Sequence, residues 1–406
     1  MEIHSCRICG SKKLTFFFNL GKQPLANSLL KKSSEKEKKY PLSLGYCHNC
    51  SLVQLSYTVD AKKLFSDYVW VTKTSETAKR FAERFYKELI KRANKNAVKY
   101  ILEIASNDGT FLLPFKKTGY KVLGIDPAEN ISKMARESGI PTKSIFFNSL
   151  NAKKLLKQYG KAHIIFARNV LPHVFNTIDF VKDLKNLLED NGVLAIEVHY
   201  AKGIQEELHY DSIYHEHLCY FTLKTLERLL NDQGLYIFDV VKSPISGGSI
   251  VAYATGKQLK KSAALNKYIR DEELNKTNYL SSWKRFSQKS IQHRNKFLRV
   301  LEKANRKGLV VGYGASARSS TLLNFSNIST KQIKQIIDKN ELKQGFYTAG
   351  THIPIETAEK VLIKKPSTVV ILAWNFVEEI TKMLKKDYNY KGSFIIPLPN
   401  DVVIKK

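Results

Sequence analysis

Between Tyr100 and about Gly256, short apolar runs alternate with helical stretches, and few folds accept that order. Tyr100–Ala105, Lys121–Ile125, His163–Ala167 and Val193–His199 read as strands, with Gly109–Lys117, Asn130–Ser138 and Ile178–Glu189 as the helices between them. Strands this short and this apolar have no wet face, so the pattern predicts a parallel sheet covered by helices on both sides. After a helix over Thr222–Asp232, the runs Tyr236–Val241 and Ser249–Tyr253 read as a closing hairpin. A second alternation, Leu309–Tyr313, Gln335–Ile337, Thr368–Ala373 and Ser393–Ile396, predicts a second α/β domain. The two are joined by a Lys-rich helical stretch, Leu259–Asn305, with Trp283, Phe286, Ile291, Leu298 and Leu301 near helical spacing. Upstream, Phe81, Phe85 and Leu89 at four-residue intervals mark an amphipathic helix leading into the first sheet.

The segment before that helix carries two Cys-x-x-Cys pairs, Cys6/Cys9 and Cys47/Cys50, and the fifth cysteine, Cys219, stands alone. The start of the chain lacks a basic-then-apolar export signal, and no apolar run approaches the ~18–20 residues needed to cross a bilayer. The expectation is a cytoplasmic protein without a membrane partner. Cytosolic chains do not keep disulfides, whereas paired thiolates at this spacing grip one tetrahedral metal. A structural Zn2+ is therefore expected, with His4 and His48 as spare nitrogen ligands. A redox dithiol or two unrelated pairs are the competing readings. Four thiolates would leave no open position for water, so the metal would hold a loop-rich segment and do no chemistry.

Lys plus Arg number 66 against 37 Asp plus Glu, a formal charge of +29, which favours anionic partners. The basic residues are spread as Lys-Lys pairs, more the habit of a solvated surface than of a nucleic-acid groove. Hydrophobic residues at 43% and charged residues at 25% exclude wholesale disorder.

The turn after the first strand, Glu103-Ile-Ala105-Ser106-Asn107-Asp108-Gly109, lies at the carboxyl edge where such sheets bind ligands. It lacks the G-x-G-x-x-G dinucleotide fingerprint, and Ala105 stands where the first glycine would be. Asp126, one residue past the next strand, could accept from both ribose hydroxyls or simply cap a helix. The densest chemistry is Tyr210-Asp-Ser-Ile-Tyr214-His215-Glu216-His217-Leu-Cys219-Tyr220, after the fourth strand. Histidine can take and return a proton near neutral pH, a neighbouring carboxylate can raise its basicity, and tyrosine can donate to an oxyanion. His173 should come down beside the same pocket. A second metal lacks the His-Glu-x-x-His spacing, and a packed polar loop is the remaining alternative.

Those residues resemble the class I methyltransferases that use S-adenosylmethionine. Taken in order, the Cys-x-x-Cys pairs, Glu-Ile-x-Ser-Asn-Asp-Gly, Gly124-Ile-Asp-Pro, Ala-Arg-Asn-x-x-x-His, Tyr-His-Glu-His and Gly-Tyr-Gly-Ala-x-Ala make the whole chain similar to the sugar C-methyltransferases that act at C3 of nucleotide-linked 4-keto deoxyhexoses. The resemblance implies an α/β fold with a class I methyltransferase (Rossmann-like) core, a small N-terminal zinc-binding domain and a second, C-terminal Rossmann-like domain. The boundaries would fall at 1–70, 71–256, a helical linker 257–305, and 306–406. It implies His217 as base, with Tyr214, Glu216, His173 and Tyr68 completing the pocket. Glu103, Ala105, Ser106, Asn107, Asp108, Gly109, Asp126, Pro127, Asn148 and Asn169 would bind S-adenosylmethionine, and Cys6, Cys9, Cys47 and Cys50 the zinc. Gly312, Tyr313, Gly314, Ala315, Ser316, Arg318, Asp338 and Lys343 would bind a nucleotide-diphosphate deoxysugar, dTDP-linked by the resemblance. Arg318 would serve as a fork-shaped phosphate donor at a helix N-terminus. The chain departs from the family at Ala105, usually glycine, and at Arg318-Ser319, where Lys-Gly is expected. An RNA methyltransferase is the enzyme rival, though no Asn-Pro-Pro-Tyr-like loop or Pro-Cys nucleophile is present and no nucleic-acid partner is expected. A non-catalytic zinc-containing module is the other rival, and the oligomeric state stays open, a monomer included.

Overall fold

In the computed structural model, which describes residues 1–65, 70–244 and 247–405, three sheets carry the chain. The N-terminal strands are β1 (Leu14–Pro24), β2 (Lys39–Cys47) and β3 (Val53–Leu55). The central strands are β4 (Tyr100–Ile104), β5 (Lys121–Asp126), β6 (Thr142–Ser144), β7 (Ala162–Arg168), β8 (Leu188–His199), β9 (Cys219–Tyr220), β10 (Tyr236–Ser243) and β11 (Ser249–Thr255). The C-terminal ones are β12 (Val310–Tyr313), β13 (Ile336–Ile337), β14 (Ile355–Glu356), β15 (Thr368–Ile371), β16 (Ser393–Ile396) and β17 (Val403–Lys405).

The central sheet has the order β10-β11-β8-β7-β4-β5-β6, with β11 antiparallel to both neighbours and the remaining pairs parallel. Every residue of β4 is buried, as a strand covered on both faces requires. Strand order reverses between β4 and β7, which opens a crevice at their carboxyl ends. The C-terminal sheet, β14-β13-β12-β15-β16-β17, is parallel except at its last strand and reverses between β12 and β15. Both predicted alternations are present. Absent from the expectation were β6 and the helix Ser149–Tyr159, whose Lys-rich sequence buries only Ala152 and Leu155 and so carries little period.

The third sheet, β1-β2-β3-β9, is antiparallel and takes its last strand from the central region. Leu55 N donates to Leu218 O at 2.9 Å, and Val53 faces Tyr220. A boundary at residue 70 therefore does not isolate this sheet. The predicted Lys-rich stretch is two helices, Ala263–Leu274 and Leu280–Asn305. The longer one buries Trp283, Phe286, Ser290, His293, Phe297 and Leu301, a three-and-four repeat, while Ile291 is exposed and Leu298 only partly covered. Phe286 meets Phe18 of β1, His293 meets Tyr210 in the segment after β8, and Leu301 joins the core shared with β12, so one helix touches all three regions of the chain.

Candidate active site

One cavity of about 1000 Å³ runs from the carboxyl edge of β4 and β5 to the carboxyl edge of β12 and β13. It is lined at the first edge by Glu103, Ala105, Ser106, Asn107, Asp126, Pro127, Asn148 and Asn169, midway by His173, Tyr214, Glu216 and His217, and at the second edge by Tyr313, Gly314, Ser316, Arg318, Asp338 and Lys343. Asp108, Gly109, Gly312 and Ala315 are not among the lining residues. Tyr68 lies outside the described residues.

At the first edge, Asp126 Oδ2 accepts from Asn107 N at 2.9 Å and Oδ1 from Ala128 N at 3.0 Å, and burial lifts its carboxyl to about 6. Ala105, Asn107 and Asn169 all have positive φ, of 57°, 49° and 52°. These values fall in the left-handed helical well that an alanine can enter at a cost of roughly 1–2 kcal/mol, which is why Ala105 can replace glycine here. Asn107 and Asp108, expected around the cofactor, also hold the incoming chain. Asn107 Oδ1 accepts from Thr72 N at 2.9 Å, and Asp108 Oδ2 from Lys73 N at 2.8 Å. Gly109 has φ +77° and packs where a Cβ would strike Ile140 at 2.8 Å, a structural duty.

S-adenosylmethionine fits this edge by the atoms left over. Glu103 is 2% exposed, its Oε2 has no partner among the described residues, and burial pushes its carboxyl well above the usual range. Ser106 Oγ is likewise buried and unpartnered. A carboxylate and a hydroxyl orphaned beside a cavity suit a cationic ammonium group, and Asp126 suits a ribose.

Midway, the Tyr-His-Glu-His run divides its side chains. His217 Nδ1 donates to the Ser212 carbonyl at 2.8 Å, so Nε2 carries the lone pair and accepts from Tyr214 Oη at 2.8 Å. Burial drives the His217 imidazole well below its usual range, hence neutral at pH 7. His173 Nδ1 donates to the Glu216 carbonyl at 2.7 Å, its ring is 5.0 Å from that of His217, and burial lowers it to about 4. Burial raises the Glu216 carboxyl to about 7, against the bond from Asn27 Nδ2 at 2.6 Å. His215 turns away, toward the carbonyls of Tyr40 and Pro41 in β2. Asn27 carried no signal in the sequence, since it stands 189 residues from its partner.

The second edge repeats the device of the first: Asp338 Oδ2 accepts from Ala315 N at 2.8 Å, as Asp126 does from Asn107 N. Gly314 has φ +97° and a Cβ there would lie 2.5 Å from Ala373. Lys343 is buried and donates to Ala315 O at 2.7 Å. Arg318 lines the cavity and is held by its neighbours. Its Nη2 donates to Asp211 Oδ1 at 3.1 Å and Ser212 Oγ at 2.7 Å, and the guanidinium stacks 4.5 Å from the Trp374 ring, whose Nε1 donates to Asp211 Oδ2 at 2.7 Å. It forms an interdomain clasp at the wall of the cavity. Ser319, where glycine is usual, closes the capping box with Ser316, its N donating to Ser316 Oγ at 3.1 Å.

Outside the cavity, the ligand sulfurs of Cys6, Cys9, Cys47 and Cys50 lie within 4.8 Å of one another, with Cys6–Cys50 at 3.5 Å and Cys9–Cys47 at 3.6 Å. A tetrahedral zinc with bonds of about 2.3 Å needs sulfurs about 3.8 Å apart, so the four fit. His48 Nε2 instead pairs with Thr15 Oγ1 at 2.8 Å. Among the described residues no helix is long and apolar enough to cross a membrane.

Sheet order, cofactor edge and sulfur cluster together define an S-adenosylmethionine-dependent methyltransferase with a zinc-binding domain. Family models agree: a zinc binding domain matches residues 6–65, a methyltransferase domain 78–240, and a C-methyltransferase C-terminal domain 244–399. Over 407 residues, 99% of its own length and 97% of the relative's, the chain is 27% identical to the C-methyltransferase NovU of Streptomyces niveus. Among solved structures, the PH0226 protein of Pyrococcus horikoshii OT3 is 14% identical, with 50% of this chain and all of that one covered at a TM-score of 0.38. Magnesium protoporphyrin IX methyltransferase from Synechocystis PCC 6803 with bound S-adenosylmethionine is 13% identical, with 45% and 80% covered at 0.35.

Proposed function

We propose that the protein methylates C3 of a nucleotide-linked 4-keto deoxysugar, dTDP-linked by the family resemblance, through an enolate with His217 as general base. The observation that carries this reading is the single cavity: a methyl-donor edge, a histidine–tyrosine pair and a second Asp-bearing sheet edge open into one volume. That volume has room for a pyranose between two ligand-binding edges.

Glu103, Ser106 and Asp126 would hold S-adenosylmethionine, which supplies an electrophilic methyl group when bound. Tyr214 Oη donates to His217 Nε2 at 2.8 Å. A ketone oxygen entering the cavity takes over the Tyr214 hydroxyl proton as a hydrogen bond, which frees His217 Nε2 to receive the C3 proton. Charge then develops on the C4 oxygen opposite that donor. His217 becomes an imidazolium, and the buried Glu216 carboxylate on the same loop offsets its charge. Asp338 and Gly314 would present the nucleotide end, and +29 of formal charge favours capture of a diphosphate.

His217→Asn removes the base but keeps a polar ring-sized group. It should slow both methylation and solvent deuterium exchange at C3 by about 10²- to 10⁴-fold, followed by mass spectrometry of 4-keto sugar nucleotides incubated with labelled methyl donor. Undiminished exchange in that variant would take the base role away from His217.

A further inference from the structure

The loop between β1 and β2 belongs to the zinc-bearing sheet, yet it delivers one side chain into the cavity. Asn27 lines that cavity and donates through Nδ2 to Glu216 Oε1 at 2.6 Å, the side-chain donor to this carboxylate among the described residues. The loop is anchored from the other side as well. Leu30 and Tyr347 exchange backbone bonds at 2.9 and 2.8 Å, and His352 reaches the Ser33 carbonyl at 2.6 Å and Glu37 at 3.0 Å. Asn27 is thus held rigidly between the N-terminal and C-terminal sheets.

The other polar groups around Glu216 give its carboxylate no counter-charge. His173 spends its Nδ1 proton on the Glu216 backbone, His215 faces the β2 carbonyls, and His217 and Tyr214 pair with each other. We propose that Asn27 is the positioning residue of Glu216, fixing the orientation of its carboxylate and favouring its ionised form, so that the zinc-bearing domain takes part in the proton chemistry. This rests on the reading of Glu216 as an active-site group.

The full-length, zinc-loaded protein tests it without any sugar. Difference infrared spectroscopy follows the carbonyl stretch of the protonated Glu216 carboxyl against pH, with Glu216→Gln assigning the band. Wild type should titrate near 7. Asn27→Ala removes the donor, and the near-isosteric Asn27→Asp sets a second acid against the first. Each should raise the midpoint at which the last carboxyl proton leaves by at least about one pH unit, a tenfold change in proton affinity. An unchanged midpoint in either folded variant overturns the proposal, because a side chain that merely packs would leave it where it was. Asn27→Asp keeps the test open if the alanine variant does not fold. Failure here leaves the reaction untouched, whereas absence of C3 exchange in wild-type enzyme would remove the reaction and leave this titration standing.

Discussion

His217 is confined to one tautomer because a carbonyl can only accept: the Ser212 oxygen claims the Nδ1 proton and leaves Nε2 basic. With His217 well below its usual range and His173 at about 4, both rings stay neutral through pH 6–9, so neither should shape the pH profile there. Glu216 at about 7 should. Its carboxyl is protonated below that value and ionised above it, so C3 exchange should fall about tenfold per pH unit on the acid side and level off above it, and Glu216→Gln should flatten that limb. A wild-type limb near 4 would point to a different group. At the other end of the cavity, Asp126→Asn keeps the shape but loses one of two acceptors for backbone amides. It should weaken S-adenosylmethionine binding by about 1–3 kcal/mol in calorimetry. Residue types and their order made His217, Glu216 and Asp126 legible from the sequence. The bond from Arg318 to the buried Asp211 was not legible, because a cation near a glycine turn reads the same with or without such a partner.

Among the elements, β9 ties the cysteine-bearing sheet to the His217 loop. Arg7, inside the first cysteine pair, donates to Leu55 O at 2.8 Å and Gln54 Oε1 at 3.1 Å in β3. β3 pairs with β9, and β9 begins two residues after His217. Zinc removal under reducing conditions, or Cys47→Ser, should therefore abolish turnover while S-adenosylmethionine affinity stays within about twofold, since the Asp126 edge belongs to another sheet. Parallel loss of both would mean the metal supports the central sheet too. Two-residue strands such as β9 have no periodicity, so their pairing partner is invisible until the chain folds. The seven-stranded sheet, by contrast, was legible because β4, β5, β7 and β11 are largely buried apolar runs.

For the whole molecule, the clasp at Asp211 joins the central and C-terminal sheets beside His217. Asp211 is 1% exposed and is bonded by Arg318 and Trp374, and Ser212, which carries the His217 carbonyl partner, is bonded by Arg318 as well. Asp211→Ala removes the one carboxylate that accepts from both the Arg318 guanidinium and the Trp374 indole N–H. It should cost about 3–5 kcal/mol in urea unfolding and lower turnover more than S-adenosylmethionine binding. A variant as stable as wild type would show that the two sheets associate through apolar packing alone. What the sequence determined by itself is everything set by local pattern: two α/β units from apolar spacing, a four-thiolate site from paired cysteines, and a cavity-lining loop from its run of titratable residues. Tertiary structure alone decided which of those groups meet, that Asn27 serves Glu216, that Arg318 serves Asp211 and that β9 leaves its own domain's sheet. Such contacts join residues far apart in the chain, and a hydrogen bond across that distance leaves no mark on the composition or periodicity of either partner's neighbourhood.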